Sequence, residues 1–356
     1  MDFEIARDDL HRCRFLDTAP AELEPGQARL EVERFGLTSN NITYATFGEA
    51  MSYWSFFPAD DGWGRVPVWG FARVGESRND ELAEGARVYG YLPPSTELVV
   101  SPTRIDARGF VDASAHRAAL PPAYNGYALT DADPVYDADS EDQQMLLRPL
   151  FFTSYLIDDF LEDAEMFGAS TIVLSSASSK TASALAYLLA RREGVEVVGL
   201  TSPRSVDFSA SLDVYDRLVP YPEIDSLADD PAVFVDMAGD AQVRSAVHAH
   251  YGEALMHSAV VGATHHDRMG DVPDSLPGPR PTFFFAPDRV SKRSTAWGRD
   301  GLEQRLADAW RPYIEWTRGW LGVVHGEGPE ALERAYIDLL EGRIDPANAH
   351  VLTLSG

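Results

Sequence analysis

Between Thr171 and Pro287 short apolar runs alternate with segments long enough for helices, and this alternation constrains the fold more than any other feature of the chain. TIVLSS (171–176) reads as a short buried strand, KTASALAYLLARREG as a helix closed by Gly194, and VEVVGLT as a second strand. RLVPY, AVFVDMAG, SAVVGAT and PTFFFAP recur at intervals that leave room for further helices. Strands separated by helices pair in parallel through right-handed crossovers, so this half is expected to be a doubly wound parallel sheet covered on both faces.

The N-terminal part has another rhythm. ARLEVERFGLT, RVPVWGFARVGES and GARVYGYLPPSTELVV alternate apolar and polar residues between Gly, Pro and Asn, which predicts an antiparallel β domain or barrel. The stretch from Tyr44 to Trp69 is rich in aromatic residues, which can serve as packed core or, in Tyr53-Trp54-Ser55-Phe56-Phe57, as the wall of an apolar pocket. From Pro121 to Asp139 Asp, Pro and Tyr occur without periodicity, as in a long connection. SEDQQMLLRPLFFTSYLIDDFLEDAEMFGAS then carries apolar residues at helical spacing and predicts two helices leading into the second domain. The closing GPEALERAYIDLLEGRIDPANAHVLTL reads as a helix and a strand that returns to the first domain. The expected domains are 1–145 with 322–356, and 146–321.

A chain of 356 residues has material for two cores. Its formal net charge of −26 repels phosphate-rich surfaces, which argues against nucleic acid or an anionic membrane as partner. Cys13 is the only cysteine, so neither an internal disulfide nor a cysteine-based zinc site is expected. No run approaches a membrane span and the charged start is unlike a secretory signal, so a soluble, cytoplasmic protein is expected.

An anion must therefore bind at a local positive site, and the first strand-to-helix turn of such a sheet is a natural one, because backbone N–H groups and a helix N-terminus converge there. That turn runs Ser175-Ser176-Ala177-Ser178-Ser179-Lys180-Thr181-Ala182, with Ser176, Ser179 and Ala182 at GxxGxxG-like spacing. Small residues keep the space, although serine tolerates φ > 0 less well than glycine. Of 30 basic residues only Lys180 and Lys292 are lysines. Lys180 at a helix start opposes the helix dipole, so it is either a solvated side chain or the partner of an anion. After the second strand an NAD site places a carboxylate for the ribose 2′-hydroxyl. Here the chain reads Gly199-Leu200-Thr201-Ser202-Pro203-Arg204-Ser205, without an acid until Asp207. Hydroxyls with a guanidinium suit a 2′-phosphate, which points to NADPH as cofactor.

This order of elements resembles the medium-chain dehydrogenase/reductase superfamily, in particular its zinc-free quinone and enoyl reductases. SNNITYATFG, LLRPLFFTSYLIDDF and FFFAPDRVSKR resemble more narrowly a bacterial family of unknown function, DUF2855. The resemblance implies an α/β fold with an N-terminal β-rich GroES-like domain and a C-terminal Rossmann-type domain. It implies a nucleotide loop over Ser176, Ala177, Ser178, Ser179, Lys180 and Thr181, and a 2′-phosphate turn at Ser202 and Arg204. The VFD-x-x-G segment falls on Val235 to Gly239, and a nicotinamide-facing strand end on Val261-Gly262-Ala263-Thr264. Ser39-Asn40-Asn41 and Trp69-Gly70-Phe71 stand where zinc-dependent members carry their metal ligands, so no metal is expected.

The segment Asn41-Ile42-Thr43-Tyr44 is implied to lie beside the nicotinamide. Asn41 is then either a turn residue or a group that orients a carbonyl; Tyr44 is either a packed ring or a proton donor. His265, His266 and Asp267 after SAVVGAT, Lys292 and Arg293 after PTFFFAPDRV, and Tyr124, Asn125 and Tyr127 in the connection are further candidates, each with a plain surface or anchoring role as the alternative. The expected activity is hydride transfer from NADPH to an enone, quinone or ketone, an apolar small molecule held between the domains. A non-catalytic NADPH-binding sensor or interaction protein is the alternative, and a homodimer is implied by analogy.

Overall fold

In the computed structural model, which describes residues 1–17, 19–261 and 276–354, the chain divides into two units, Met1–Leu146 with Leu321–Gly356 and Leu147–Trp320. The first unit contains β1 (Asp2–Ala6), β2 (Asp9–Leu16), β3 (Ala28–Leu37), β4 (Trp63–Gly64), β5 (Val68–Ser77), β6 (Arg87–Leu92), β7 (Glu97–Val100), β8 (Pro102–Asp106), β9 (Gly109–Asp112) and β10 (Gly126–Leu129). The second contains β11 (Thr171–Leu174), β12 (Glu196–Thr201), β13 (Arg217–Pro220), β14 (Ala232–Asp236), β15 (Leu255–Val261) and β16 (Thr282–Phe284). β17 (Gly322–Glu327) and β18 (Asn348–Thr353) belong again to the first unit. The helices are α1 (Ser39–Thr46), α2 (Glu141–Asp163), α3 (Lys180–Leu189), α4 (Val206–Ser211), α5 (Ala241–Tyr251), α6 (Ala286–Thr317) and α7 (Pro329–Leu340).

The first unit is built on a nine-stranded sheet in the order β17-β18-β3-β5-β6-β10-β9-β8, with β7 also paired to β3, and a three-stranded sheet β2-β1-β4. Pairing is antiparallel except between β17 and β18. The alternating runs explain this, since every second residue points into a core of Phe3, Leu30, Phe35, Val68, Tyr91 and their neighbours. The late helix α7 lays Leu332, Ala335 and Tyr336 onto that core, with the Tyr336 ring edge-on to Phe3. The connection from Pro121 to Asp139 is more ordered than expected: Tyr127 in β10 donates its hydroxyl to the Tyr91 carbonyl at 2.7 Å and so fixes a strand within an otherwise irregular run.

The second unit is a six-stranded, wholly parallel sheet in the order β13-β12-β11-β14-β15-β16. Its central strands TIVL and AVFVD are buried along their full length, as expected of strands covered on both faces. The order reverses between β11 and β14, and ligands of open α/β sheets bind outside the carboxyl ends of the strands at such a point.

Where two helices were expected before β11 there is one, α2, of 23 residues, which starts in the first unit and ends in the second. Pro149 lies inside it and removes one backbone donor without breaking it, while Thr153 and Ser154 turn their hydroxyls back to the carbonyls of Pro149 and Leu150. After α2 the backbone passes through left-handed φ at Glu165, Met166, Phe167 and Gly168 (49°, 50°, 55° and 76°). Such a conformation costs about 1–2 kcal/mol per L-residue. The Phe167 ring, stacked face to face on His257 at 4.0 Å, anchors it. No helix among the described residues is long and apolar enough to cross a membrane.

Lys292 and Arg293 are committed to an ion network within the second unit. Asp163 of α2 accepts from Lys292, from Arg289 at 2.8 Å and from Arg293 at 3.1 Å, and Asp159 accepts from Arg289 and Arg293. The α2 carboxylates thus engage both side chains in ion pairs, while Lys292 keeps 58% of its side chain exposed. The hydrogen bond from Lys292, followed by that from Arg289, holds the Asp163 carboxyl well below the usual carboxylate range. A depressed carboxyl stabilises the fold at pH values above its unfolded pKa of about 4, and this contribution fades as pH falls below that value. Asp163→Asn is therefore expected to lower the melting temperature at neutral pH and to flatten its decline between about pH 4 and pH 2, the range set by the carboxylate titration; an unchanged acid limb in a thermal-melt series would remove the network from the acid response.

Candidate functional site

The turn after β11 follows from three local features. Ser175 ends the strand fully buried, and Ser176 takes φ +56°, the left-handed conformation that glycine adopts freely and serine only under constraint. Ser179 then caps α3, its hydroxyl accepting the Ala182 N–H at 3.2 Å, while the Ser179 N–H closes onto the Ser176 carbonyl at 2.7 Å. Ala177 is buried and donates its N–H to the Leu200 carbonyl of β12 at 2.9 Å, which ties this loop to the neighbouring strand. Ser178, Ser179, Lys180 and Thr181 are half-buried, and the Thr181 carbonyl accepts the Ser154 hydroxyl of α2 at 2.8 Å.

β12 ends at Thr201, and Ser202 opens a 3-10 turn, Pro203–Ser205, with its hydroxyl bonded to that of Ser205 at 3.0 Å. Arg204 is exposed on this turn. Because β11 and β12 are parallel neighbours with Leu174 opposite Gly199, the Ser176–Lys180 loop and the Ser202–Arg204 turn emerge at the same edge of the sheet. No carboxylate stands between Thr201 and Arg204, and Asp207 lies in the first turn of α4. The fit to a phosphorylated ribose is therefore one of donor chemistry: hydroxyls, backbone N–H groups and a guanidinium.

Across the switch point the two strand ends are locked together. The Ser175 hydroxyl donates to Asp236 Oδ1 at 2.9 Å and accepts from the N–H groups of Met237 and Ala238 at 2.8 and 2.9 Å. Asp236 is wholly buried; Arg244 of α5 donates to its other oxygen at 2.9 Å, and Gly239, at φ +68°, donates its N–H to Oδ1 at 3.0 Å. Gly239 thus shapes the second wall of the crevice. Gly262 and Ala263, and with them His265, His266 and Asp267, lie outside the described residues.

Two tyrosines at this edge were not foreseen. Tyr221, immediately after β13, accepts the Ser176 N–H at 3.0 Å, and Tyr215 donates to the Ala177 carbonyl at 2.8 Å. Gly199 allows the second contact, since a Cβ there would stand 2.8 Å from the Tyr215 ring and from Ala177. The position of Tyr221 at the end of the strand next to β12 was the signal available in sequence.

Asn41 and Tyr44 lie on α1 in the first unit. The Asn41 amide is buried and bonded at both ends, its oxygen accepting the N–H of the N-cap Thr38 and its nitrogen donating to the Pro67 carbonyl, both at 2.8 Å, so it completes the capping of the helix and pins it to the segment before β5. Tyr44 is buried with its ring 4.5 Å from Tyr53 and 5.8 Å from Tyr91, and burial pushes its phenol well above the ordinary tyrosine range. Trp69, Asn40 and Tyr91 are the polar side chains that face its hydroxyl. Tyr124 joins the same aromatic cluster, Tyr127 stacks its ring on Phe110 instead, and Asn125 is buried just before β10.

The strain at Ser176 gives a direct test. Ser176→Gly removes a side chain from a left-handed position and is expected to raise stability by about 1 kcal/mol, measured as a higher denaturant midpoint at unchanged slope; a lower midpoint would mean that the serine side chain, rather than its backbone, holds the loop.

A family model described as protein of unknown function (DUF2855) matches residues 35–345. No functionally curated protein matches the chain by sequence. Among solved structures it is similar to CurA from Vibrio vulnificus, at 14% identity and TM-score 0.61 over 97% of this chain and 94% of that one, a protein also crystallised in complex with NADPH. It is similar to a quinone oxidoreductase from Pseudomonas syringae pv. Tomato DC3000 (14% identity, TM-score 0.58, 98% and 99% covered) and to YhdH from E. coli K-12 with bound NADPH (16%, 0.56, 100% of both chains). The likeness is one of fold: a β-rich GroES-like domain with a Rossmann-type parallel sheet. The match over residues 35–345 makes this chain a member of the DUF2855 family.

Proposed function

We propose that the protein is an NADPH-dependent reductase of a conjugated carbonyl, quinone or ketone, working without zinc. One observation carries the cofactor choice: beside the Ser176–Lys180 loop, the turn after β12 offers Ser202 and Arg204 where a carboxylate would select NADH. CurA and YhdH, which share the fold, have been crystallised with NADPH, and this supports the same reading.

In this reading Arg204 and Ser202 hold the 2′-phosphate, and the loop N–H groups with the N-terminus of α3 hold the pyrophosphate. The Ser175–Asp236–Arg244 lock keeps both walls of the crevice in place while the nucleotide binds. When bound, NADPH supplies the two-electron reducing equivalent. Tyr44 holds the proton: burial keeps its phenol neutral, so it stays a donor throughout the physiological range. Asn41 contributes indirectly, by fixing α1 and hence the place of Tyr44. Gly262 and Ala263 complete the proposed nucleotide contacts. A homodimer joined at the edge strand β16 belongs to the same reading, with exposed Phe285 and Val290 nearby; a monomer in sedimentation analysis would remove it.

Thermal melts with saturating NADPH, NADH or neither are expected to show a large shift for NADPH alone. Arg204→Ala is expected to weaken NADPH about 10- to 100-fold, the loss of one charge-assisted contact, while leaving NADH unaffected; equal affinities of the native chain for the two nucleotides would overturn the assignment. Tyr44→Phe is expected to lower turnover about 100-fold or more at unchanged NADPH affinity. Native turnover in this variant would leave the nucleotide reading standing and take the proton from another donor.

A further inference from the structure

The aromatic cluster of the first unit carries more hydrogen-bonding hydrogen than it uses. Tyr44, Tyr53, Tyr91 and Tyr124 form one continuous group, with ring centroids 4.5 Å apart for Tyr44–Tyr53, 4.7 Å for Tyr91–Tyr124 and 5.8 Å for Tyr44–Tyr91. The Trp69 ring lies 5.0 Å from Tyr91 and 6.1 Å from Tyr124. The hydroxyls of Tyr53 and Tyr124 face each other, and Trp69, Asn40 and Tyr91 face Tyr44. Yet the Trp69 Nε1–H and the Tyr91 hydroxyl, both fully buried atoms, complete no well-formed hydrogen bond, and the acceptor that both face is the single Tyr44 oxygen. An indole N–H can only donate, so Trp69 competes with Asn40 and Tyr91 for that oxygen.

A buried donor left unmade costs about 1–3 kcal/mol. A buried ion pair borders the cluster. Arg117, wholly buried, stands 3.2 Å from Asp112 and donates to Tyr127 at 3.2 Å, but its Nη2 finds no partner. Its guanidinium lies over Phe57 at 4.8 Å, on the side of the cluster where Phe56 and Phe57 pack on Tyr91. Burial keeps all four phenols protonated, hence able to donate. Trp69, Asn40 and Tyr124 are only partly buried, so the cluster is open to approach from their side.

We propose that Trp69 and Tyr91, with the Tyr44 hydroxyl, are a donor set for the carbonyl oxygen of a flat conjugated substrate, whose ring is received among Tyr53, Tyr124 and Trp69. The inference rests on the reductase reading for the identity of that ligand as substrate. It adds two donors, one of which, Trp69, delivers no proton and acts by polarising the carbonyl.

Unpartnered donors make a prediction of opposite signs. Removing them takes away an unmet hydrogen bond from the free protein and a made one from the complex. Duroquinone, a quinone without a free position for thiol addition, is the probe, measured by equilibrium dialysis against the full chain with and without NADPH. Trp69→Phe and Tyr91→Phe are each expected to weaken its binding about tenfold or more while the ligand-free melting temperature stays level or rises. Affinity unchanged in both variants, affinity lost together with a melting temperature several degrees lower, or no binding to the native chain in either condition would overturn the proposal. Should Tyr91→Phe not fold, Trp69→Phe decides alone. An NADPH-specific thermal shift without duroquinone binding defeats this inference and leaves the nucleotide reading intact; the converse result defeats only the latter.

Discussion

A carboxylate with no surface in contact with water must find its counter-charge and its hydrogen bonds inside the protein, and Asp236 does so where the strand order of the parallel sheet reverses. Arg244 neutralises it, and Ser175 and Gly239 saturate one oxygen. Loss of Arg244 would leave Asp236 buried and unpaired, at a cost of about 3–5 kcal/mol. The crevice at the carboxyl ends of β11 and β14 is thus held open by a polar lock instead of by apolar packing. The Ser175 hydroxyl sits at its centre and draws in two backbone N–H groups from the opposite wall.

Much of this was legible in the sequence because parallel strands buried on both faces have a strong signature. TIVL, VEVVGLT, RLVPY, AVFVDMAG and PTFFFAP each gave a strand, and the apolar helix with its small first turn followed from KTASALAYLL. The missing acid after β12 was equally plain, since an absence in a short defined turn needs no tertiary information. What stayed hidden depended on contacts distant in sequence. Tyr215 and Tyr221 reach the Ser176–Ala177 loop across about 40 residues, and Lys292 and Arg293 meet Asp159 and Asp163 about 130 residues away. α2 runs unbroken through Pro149 as one helix where two were expected, because a single lost backbone bond does not outweigh the packing of the rest of the helix. The left-handed passage from Glu165 to Gly168 has a single glycine to announce it.

In the second unit Ser175 and the Asp236 carboxylate are satisfied by their neighbours at the strand ends, while Ser209, Tyr187, Tyr313 and Trp320 each keep a buried polar atom without a partner. In the first, Asn41 is bonded at both ends and holds α1, whereas Trp69, Tyr91 and Arg117 keep hydrogens that complete no well-formed hydrogen bond in aromatic surroundings.

β3 acquires one of its neighbours from the far end of the polypeptide: His350, Val351 and Leu352 of β18 pair with Leu37, Gly36 and Phe35. The nucleotide-type sheet between them is contiguous in sequence. During synthesis the inner sheet has all of its strands as soon as residue 284 has emerged, whereas the outer one waits for residues 348–353 to close a loop of about 300 residues. Until then Phe35, Gly36 and Leu37 of β3 lack the partner that β18 supplies, although Ala28–Glu31 can already pair with β7, so a short stretch of open strand edge is the part of the early sheet that β18 covers.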